Sequence, residues 1–378
     1  MKNGIVPMAI ALALGFSQQT SAIEFDGFLT AGLAVHDQTQ TNGVPVIYLE
    51  EIKDDITFLQ DTKFGLQITA DVTENMQVIA QMLGASVGNN FDVEFEWAYL
   101  DYALNESISV RAGRIKQPIF LISDYLEVGY AYPWIRPPVE AYRNMPVDNI
   151  IGVELLYQTK VGSFNLGVQP YFGSNRDAVP GNDTTNFFAD NYFGLAVRLE
   201  NQFMTFQVTT FQTDVSTVDT EGTFNSEGEG SLSVASLSWD IKNIVGYAEF
   251  TTRDLQAGNS ALAIDDLFPD QDAFYITLGY RMNKYLPHIT FASSDASPTR
   301  AFVPLGNNQG APNQGTQQDS ITLGLRYELN DSAALKMEYA IIELDGIQGN
   351  RGLFGPSLVS GIDNSKTNLI SVAVDVIF

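Results

Sequence analysis

Segments of about ten residues that alternate apolar and polar recur along this chain, and the linkers between them switch regularly between very short and long. The short ones fall at Thr73-Glu74-Asn75, Asn105-Glu106-Ser107, Val161-Gly162-Ser163, Asn201-Gln202, Lys242-Asn243, Asn283-Lys284 and Asn330-Asp331-Ser332, each built from turn-forming residues. Long ones run near residues 37–55, 85–91, 116–148, 175–190, 215–229, 255–271, 296–318 and 346–366. Seven short turns and eight long connections join about sixteen strands and leave both chain ends on the short-turn side. A period of two gives every strand two unlike faces, so the sheet must separate two unlike surroundings.

Charge decides what those surroundings are. Phe193, Leu195, Val197 and Leu199 oppose Gly194, Ala196, Arg198 and Glu200; Phe274, Ile276, Leu278 and Tyr280 oppose Tyr275, Thr277, Gly279 and Arg281; Ile321, Leu323, Leu325 and Tyr327 oppose Thr322, Gly324, Arg326 and Glu328. An arginine facing lipid at mid-bilayer costs roughly 2–4 kcal/mol, so these cations need a wet interior. The pattern predicts an all-β, transmembrane antiparallel β-barrel with lumen-facing charges Lys63, Glu154, Arg198, Arg281, Arg326 and Glu328. A soluble β-sandwich would instead show continuously apolar core strands and edge-blocking charges. About 356 residues over sixteen strands give about 22 per unit, one strand plus one connection, and barrels of that size leave an aqueous channel. The mean hydropathy of -0.02 is neutral because the two faces cancel. Tyr48, Tyr99, Tyr102, Tyr157, Phe172 and Tyr339 are read as interfacial girdle residues. In Asp92–Ala103 acids occur on both parities, and in Gly230–Asp240 serines interrupt the apolar face, so bulges or subunit contacts are expected there.

Residues 1–22 combine Lys2, an apolar stretch from about Ile5 to Phe16 and the small residues Ser21 and Ala22, the form of a cleaved export signal; residues 23–378 are then the barrel. The chain has no cysteine, which excludes a disulfide scaffold, a thiolate zinc site and a cysteine nucleophile. Its formal charge of -25 argues against a nucleic-acid partner.

Residues 116–148, KQPIFLISDYLEVGYAYPWIRPPVEAYRNMPVD, are too apolar and aromatic to stand in water and must pack against something, which makes the barrel wall the natural surface. Pro118, Pro133, Pro137, Pro138 and Pro146 restrict the backbone and suit a fixed narrowing better than a lid. The succession RAGRIKQP (Arg111–Pro118), YAYPWIRPP (Tyr130–Pro138) and IIGVELLY (Ile150–Tyr157) resembles Gram-negative outer-membrane porins of the broad group that includes the phosphate-selective channels.

That resemblance implies a loop folded into the lumen as a constriction, passive diffusion of small hydrophilic solutes and ions, and a homotrimer in the outer membrane. It also implies contact with lipid and lipopolysaccharide, and recognition of the terminal strand, TNLISVAVDVIF ending at Phe378, by barrel-assembly machinery. Carried over by position, Lys116, Glu127, Arg136, Glu140 and Arg143 become constriction candidates, with Arg111 and Arg114 near its wall. Opposed charges there would order water and dipolar solutes; the alternative is that they form ion pairs pinning the loop. Phosphate specificity does not carry over, because Lys+Arg number only 20 against Asp+Glu 45. A general or weakly cation-preferring pore fits that balance, the alternative being a closed barrel acting as adhesin, receptor or anchor.

No catalytic residue, metal site or cofactor is expected. The only histidines are His36 and His288, and Gly84-Ala85-Ser86-Val87-Gly88 matches a nucleophile motif without its strand-to-helix turn. Asp265, Asp266, Asp270 and Asp272 read as a solvated acidic loop, with cation-bridged lipopolysaccharide as the functional alternative, and 306–318 as a flexible surface loop.

Overall fold

The computed structural model describes residues 23–378 apart from 39, 42–43, 50, 88–89, 146, 148, 177, 180–181, 220–224, 258–268, 299–301, 306–308, 313–314, 347–353 and 356–364. The export segment 1–22, Gly88 of the serine motif, Asp265, Asp266 and part of 306–318 lie outside the described residues.

Sixteen antiparallel strands form one closed sheet: β1 Ile23–His36, β2 Lys63–Thr73, β3 Met76–Val87, β4 Asn90–Asn105, β5 Ile108–Lys116, β6 Asn149–Val161, β7 Phe164–Asn175, β8 Asn182–Glu200, β9 Met204–Asp219, β10 Asn225–Ile241, β11 Ile244–Ala257, β12 Gln271–Tyr280, β13 Tyr285–Ala296, β14 Thr316–Asn330, β15 Ala333–Gly346 and β16 Ser365–Ile377. Each pairs with its neighbour in sequence, and β1 closes the ring by pairing with β2 (Ile23↔Ala70 to Thr30↔Lys63) and with β16 (Phe28↔Ile377 to His36↔Leu369). Closure removes every edge, the condition for a sheet in hydrocarbon. No described helix is long and apolar enough to cross a membrane. The short turns fall where turn-forming residues predicted them, whereas the connection expected at 85–91 shrinks to 88–89 because β3 and β4 run further.

Alternation sorts the side chains as expected. Ile370 on β16, Phe274, Ile276 and Leu278 on β12, and Ile321 and Leu323 on β14 are exposed on the outer wall, while Ser371, Ala373 and Asp375 are buried on the inner one. In β4 the mixed acids have a cause: Gln81 pairs with Trp97 but Met82 with Phe95, so Glu96 is an extra residue. This bulge turns both Glu96 and Trp97 inward, 4% and 7% exposed, while Phe95 stays outside. In β10 there is no register shift, and Ser231 and Ser233 share the outer face with Leu237 and Trp239.

Two of the aromatics expected at the interfaces belong to the interior. Tyr48 is 2% exposed in an apolar cluster with Ala34, Ile52, Ile342 and Leu369, and Tyr99 packs against the cluster around Ile115 and Ile150. Tyr102, Tyr157, Phe172 and Tyr339 are on the outer surface. Tyr48 is carried inward by the first connection, where Leu49 takes a left-handed backbone (φ 50) so that Tyr48 and Ile52 can exchange backbone hydrogen bonds of 2.8 and 2.9 Å. Burial of Val46, Tyr48, Leu49 and Ile52 against β1, β15 and β16 offsets that strain.

Candidate functional site

Residues 117–145 leave β5 and run along the inner faces of most of the barrel, with two 3-10 turns, Ser123–Tyr125 and Gly129–Ala131, and one α-helical turn, α1 Val139–Tyr142. A segment without a sheet partner must find other partners for its backbone groups, and here the wall supplies them. Pro118 O accepts from Gln207 Nε2 (3.2 Å) and Thr209 Oγ1 (3.0 Å) on β9. Leu121 N donates to Glu249 Oε2 on β11 (2.9 Å), a carboxylate that also accepts from Ser236, Tyr275 and Tyr142. Arg326 on β14 donates to the carbonyls of Tyr130 and Tyr132, its guanidinium 4.6 Å from the Tyr130 ring centre. Lys336 on β15 donates to Gly129 O (2.5 Å) and Trp134 O (2.6 Å) and ion-pairs with Asp375 on β16 (2.9 Å). Trp134, 1% exposed, donates Nε1 to Thr277 (3.0 Å) and Thr290 (3.1 Å), and Ile135 N donates to Glu338 (2.9 Å).

The charges singled out in the sequence divide by what they touch. Lys116 is buried on Glu96; Glu127 bonds Lys63 of β2 (2.9 Å); Arg136 bonds Asp61 of the first connection (2.5 Å) and Ser371 (3.0 Å); Glu140, 2% exposed, accepts from Gln318 (3.0 Å). Glu127, Arg136 and Glu140 are loop pins, Lys116 joins β5 to β4 and lies 3.9 Å from Glu127, and Arg143 is exposed. Burial raises the Glu140 carboxyl above its usual range. Burial would raise Glu127 too, but the ammoniums of Lys63 and Lys116 outweigh it and hold that carboxyl low.

On the wall, Arg111 lies 2.9 Å from Asp101 and 3.6 Å from Glu154, over the Tyr99 ring, and Arg198 lies 2.9 Å from Glu200. Arg114 donates to Glu96 O but stands in register with Ile151, which is 63% exposed on the outer wall; it therefore belongs to the opposite parity from Arg111. Arg281 pairs with Asp240 at 2.9 Å beside the short turns, and Glu328 binds Arg326 at 2.7 Å. Residues not singled out in the sequence include Asp61, Glu96, Glu249 and Asp124. The last is exposed on the loop.

Ser86 lies in β3 and donates to Glu51 at 2.6 Å, with no elbow around it. Asp270 accepts from Leu255 N (2.7 Å), and Asp272 belongs to β12, not to a loop. No group of three or more potential metal ligands occurs among the described residues.

Among solved structures, the fold is similar to an anion-selective porin from Comamonas acidovorans (TM-score 0.62, 14% identity, 95% of this chain and 100% of that one). It is also similar to OmpT, an outer membrane protein of Vibrio cholerae (0.59, 13%, 96% and 99%), and to Salmonella typhi OmpF in complex with daunomycin (0.56, 11%, 94% and 97%). At such identities the likeness shows the fold. No curated protein sequence matches the chain significantly. The sequence model of the Gram-negative porin family matches residues 8–346, nearly the whole chain, and this protein therefore belongs to that family.

Proposed function

We propose that this outer-membrane channel for small hydrophilic solutes is a weakly cation-preferring diffusion pore. Its narrow section would lie between the loop tip around Asp124 and the wall carrying Arg111, Glu154 and Arg198. One observation carries the preference: Lys63, Arg111, Lys116, Arg136, Arg198, Arg326 and Lys336 each lie against a carboxylate, whereas Asp124 is exposed. Paired charges contribute little field along a pore; an exposed carboxylate attracts cations.

The test is the reversal potential of the purified protein in planar bilayers under a KCl gradient. Potassium preference in the natural chain, reduced by Asp124→Asn, is the expected result; chloride preference would overturn the reading, and correctly folded protein without conductance steps would favour a closed anchor or receptor. The same reading includes cleavage after Ala22, assembly through the strand ending at Phe378, contact with lipopolysaccharide, and a homotrimer. One form of Vibrio cholerae OmpT is a trimer, and native mass spectrometry of the mature chain tests both the mass and the stoichiometry.

A further inference from the structure

On the short-turn side of the inserted loop, the lumen holds a recess of about 290 Å³, open on one side. Tyr130–Pro133 of the loop cover it, and β11, β13, β14 and the turn at Asn283-Lys284 wall it, all of them described residues. Strand parity aims the wall side chains inward. Tyr247 stands in register with Thr277, which is buried on the inner wall, and its ring centre lies 4.7 Å from that of Trp134. Leu286 is in register with Arg326 and Asp240 with Val245, and both of those partners are buried inside.

Two kinds of surface meet there. Pro133, Val245, Leu286 and the Tyr247 ring are apolar. The polar part consists mainly of ion pairs that are already made: Arg281 on Asp240 at 2.9 Å, with side chains 45% and 46% exposed, and Arg326 on Glu328 at 2.7 Å, the glutamate 37% exposed. Such a pair offers donors and acceptors side by side and no net charge. Lys284 donates only to Leu329 O (3.2 Å), which leaves two of its three N–H groups free.

These surfaces select a ligand by exclusion. An anion would compete with Asp240 and Glu328 for cations they already match, and a purely apolar solute would strip water from both pairs and return no hydrogen bond. A ring whose hydroxyls both donate and accept, and whose C–H face is apolar, meets both requirements. We infer that this recess binds a neutral sugar of monosaccharide size, its hydroxyls on the two ion pairs and Lys284 and its C–H face against Tyr247, Pro133 and Leu286. The volume suits one ring rather than a chain, since sites for larger ligands run to roughly 300–1,000 Å³. The inference rests on the reading of the lumen as open to hydrophilic solutes and names a class among them.

Saturation-transfer NMR on the refolded mature chain in detergent tests it, with methyl α-glucopyranoside, sorbitol and benzoate as probes. Sorbitol has the hydroxyls without the ring, and benzoate has a ring and a charge without hydroxyls. The glucoside should bind saturably and about tenfold or more tighter than either. Ala131→Trp, at an exposed position on the loop, fills the recess and leaves both ion pairs in place; it should abolish glucoside binding. Lys284→Met, at an exposed turn, removes the free donors and should weaken binding about fivefold. Benzoate as tight as the glucoside, sorbitol as tight as the glucoside, or unaltered affinity in either folded variant overturns the inference. KCl conductance of the same preparation reports separately on the open channel: its absence would sink that reading and leave the binding result standing.

Discussion

At the scale of single residues, the lumen works by exchanging backbone partners for charged side chains. Lys336, 1% exposed, serves two loop carbonyls and Asp375 together, and Asp375 also accepts from Thr30 at 2.7 Å. Lys336→Met should lower unfolding stability by about 3–5 kcal/mol, because it strands a buried carboxylate. The double variant Lys336→Met/Asp375→Leu should recover the larger part, and urea titration of both in the same lipid or detergent checks the pair. Glycine has a different task on the same wall: a Cβ at Gly194 would stand 2.1 Å from the Tyr171 ring, whereas one at Gly167 meets nothing nearer than 3.9 Å. Gly194→Val should therefore cost about 1–3 kcal/mol by overpacking, with Gly167→Ala near neutral in the same titration. In the sequence, Lys116, Arg136 and Glu140 could be recognised as charges placed in an apolar loop. That Arg136 and Glu140 pin it, and that Lys116 instead joins β5 to β4, depended on Asp61, Gln318 and Glu96, partners on other elements that no spacing reveals.

At the scale of elements, strands were readable because hydrocarbon outside and polar groups inside force the alternation residue by residue, as Ile370 to Phe378 illustrate. The Glu96 bulge registered only as mixed parity, since one extra residue reverses every later side chain without leaving a compositional mark. The first connection, 37–62, was harder: its glycine and acids suggest a surface loop, and the one hint of burial was the run Val46-Ile47-Tyr48-Leu49 followed by Ile52. The inserted segment should respond to acid through Glu127. Its carboxyl is held below the ordinary value of 4.5, so the folded state binds the proton more weakly than the unfolded chain does. That stability is present above the unfolded value and is lost as pH falls through the folded one. The stability gap between the natural chain and Glu127→Gln should accordingly narrow as pH drops from about 6 to about 3, read by urea titration at each pH. A gap independent of pH would mean that Lys63 and Lys116 do not hold the charged form.

At the scale of the whole molecule, a closed ring puts an acid-rich chain, formally -25, around a lumen whose cations are mostly neutralised by neighbours. On the proposed reading, two sources of cation preference would compete: exposed carboxylates at the narrow section, such as Asp124, and the diffuse field of exposed acids around the mouths. They differ in range, and salt separates them. At about 0.1 M the screening length is about 10 Å, and at about 1 M it is about 3 Å. A carboxylate in direct contact with the passing ion is screened far less. The permeability ratio of potassium to chloride should therefore fall between about 0.1 and about 1 M KCl and settle above unity, the remainder vanishing in Asp124→Asn. A ratio that does not change with salt would assign the whole preference to the narrow section, and a ratio that reaches unity in the natural chain would assign it to the mouths. Either result would fix how far the acidity of this chain acts on what passes through it.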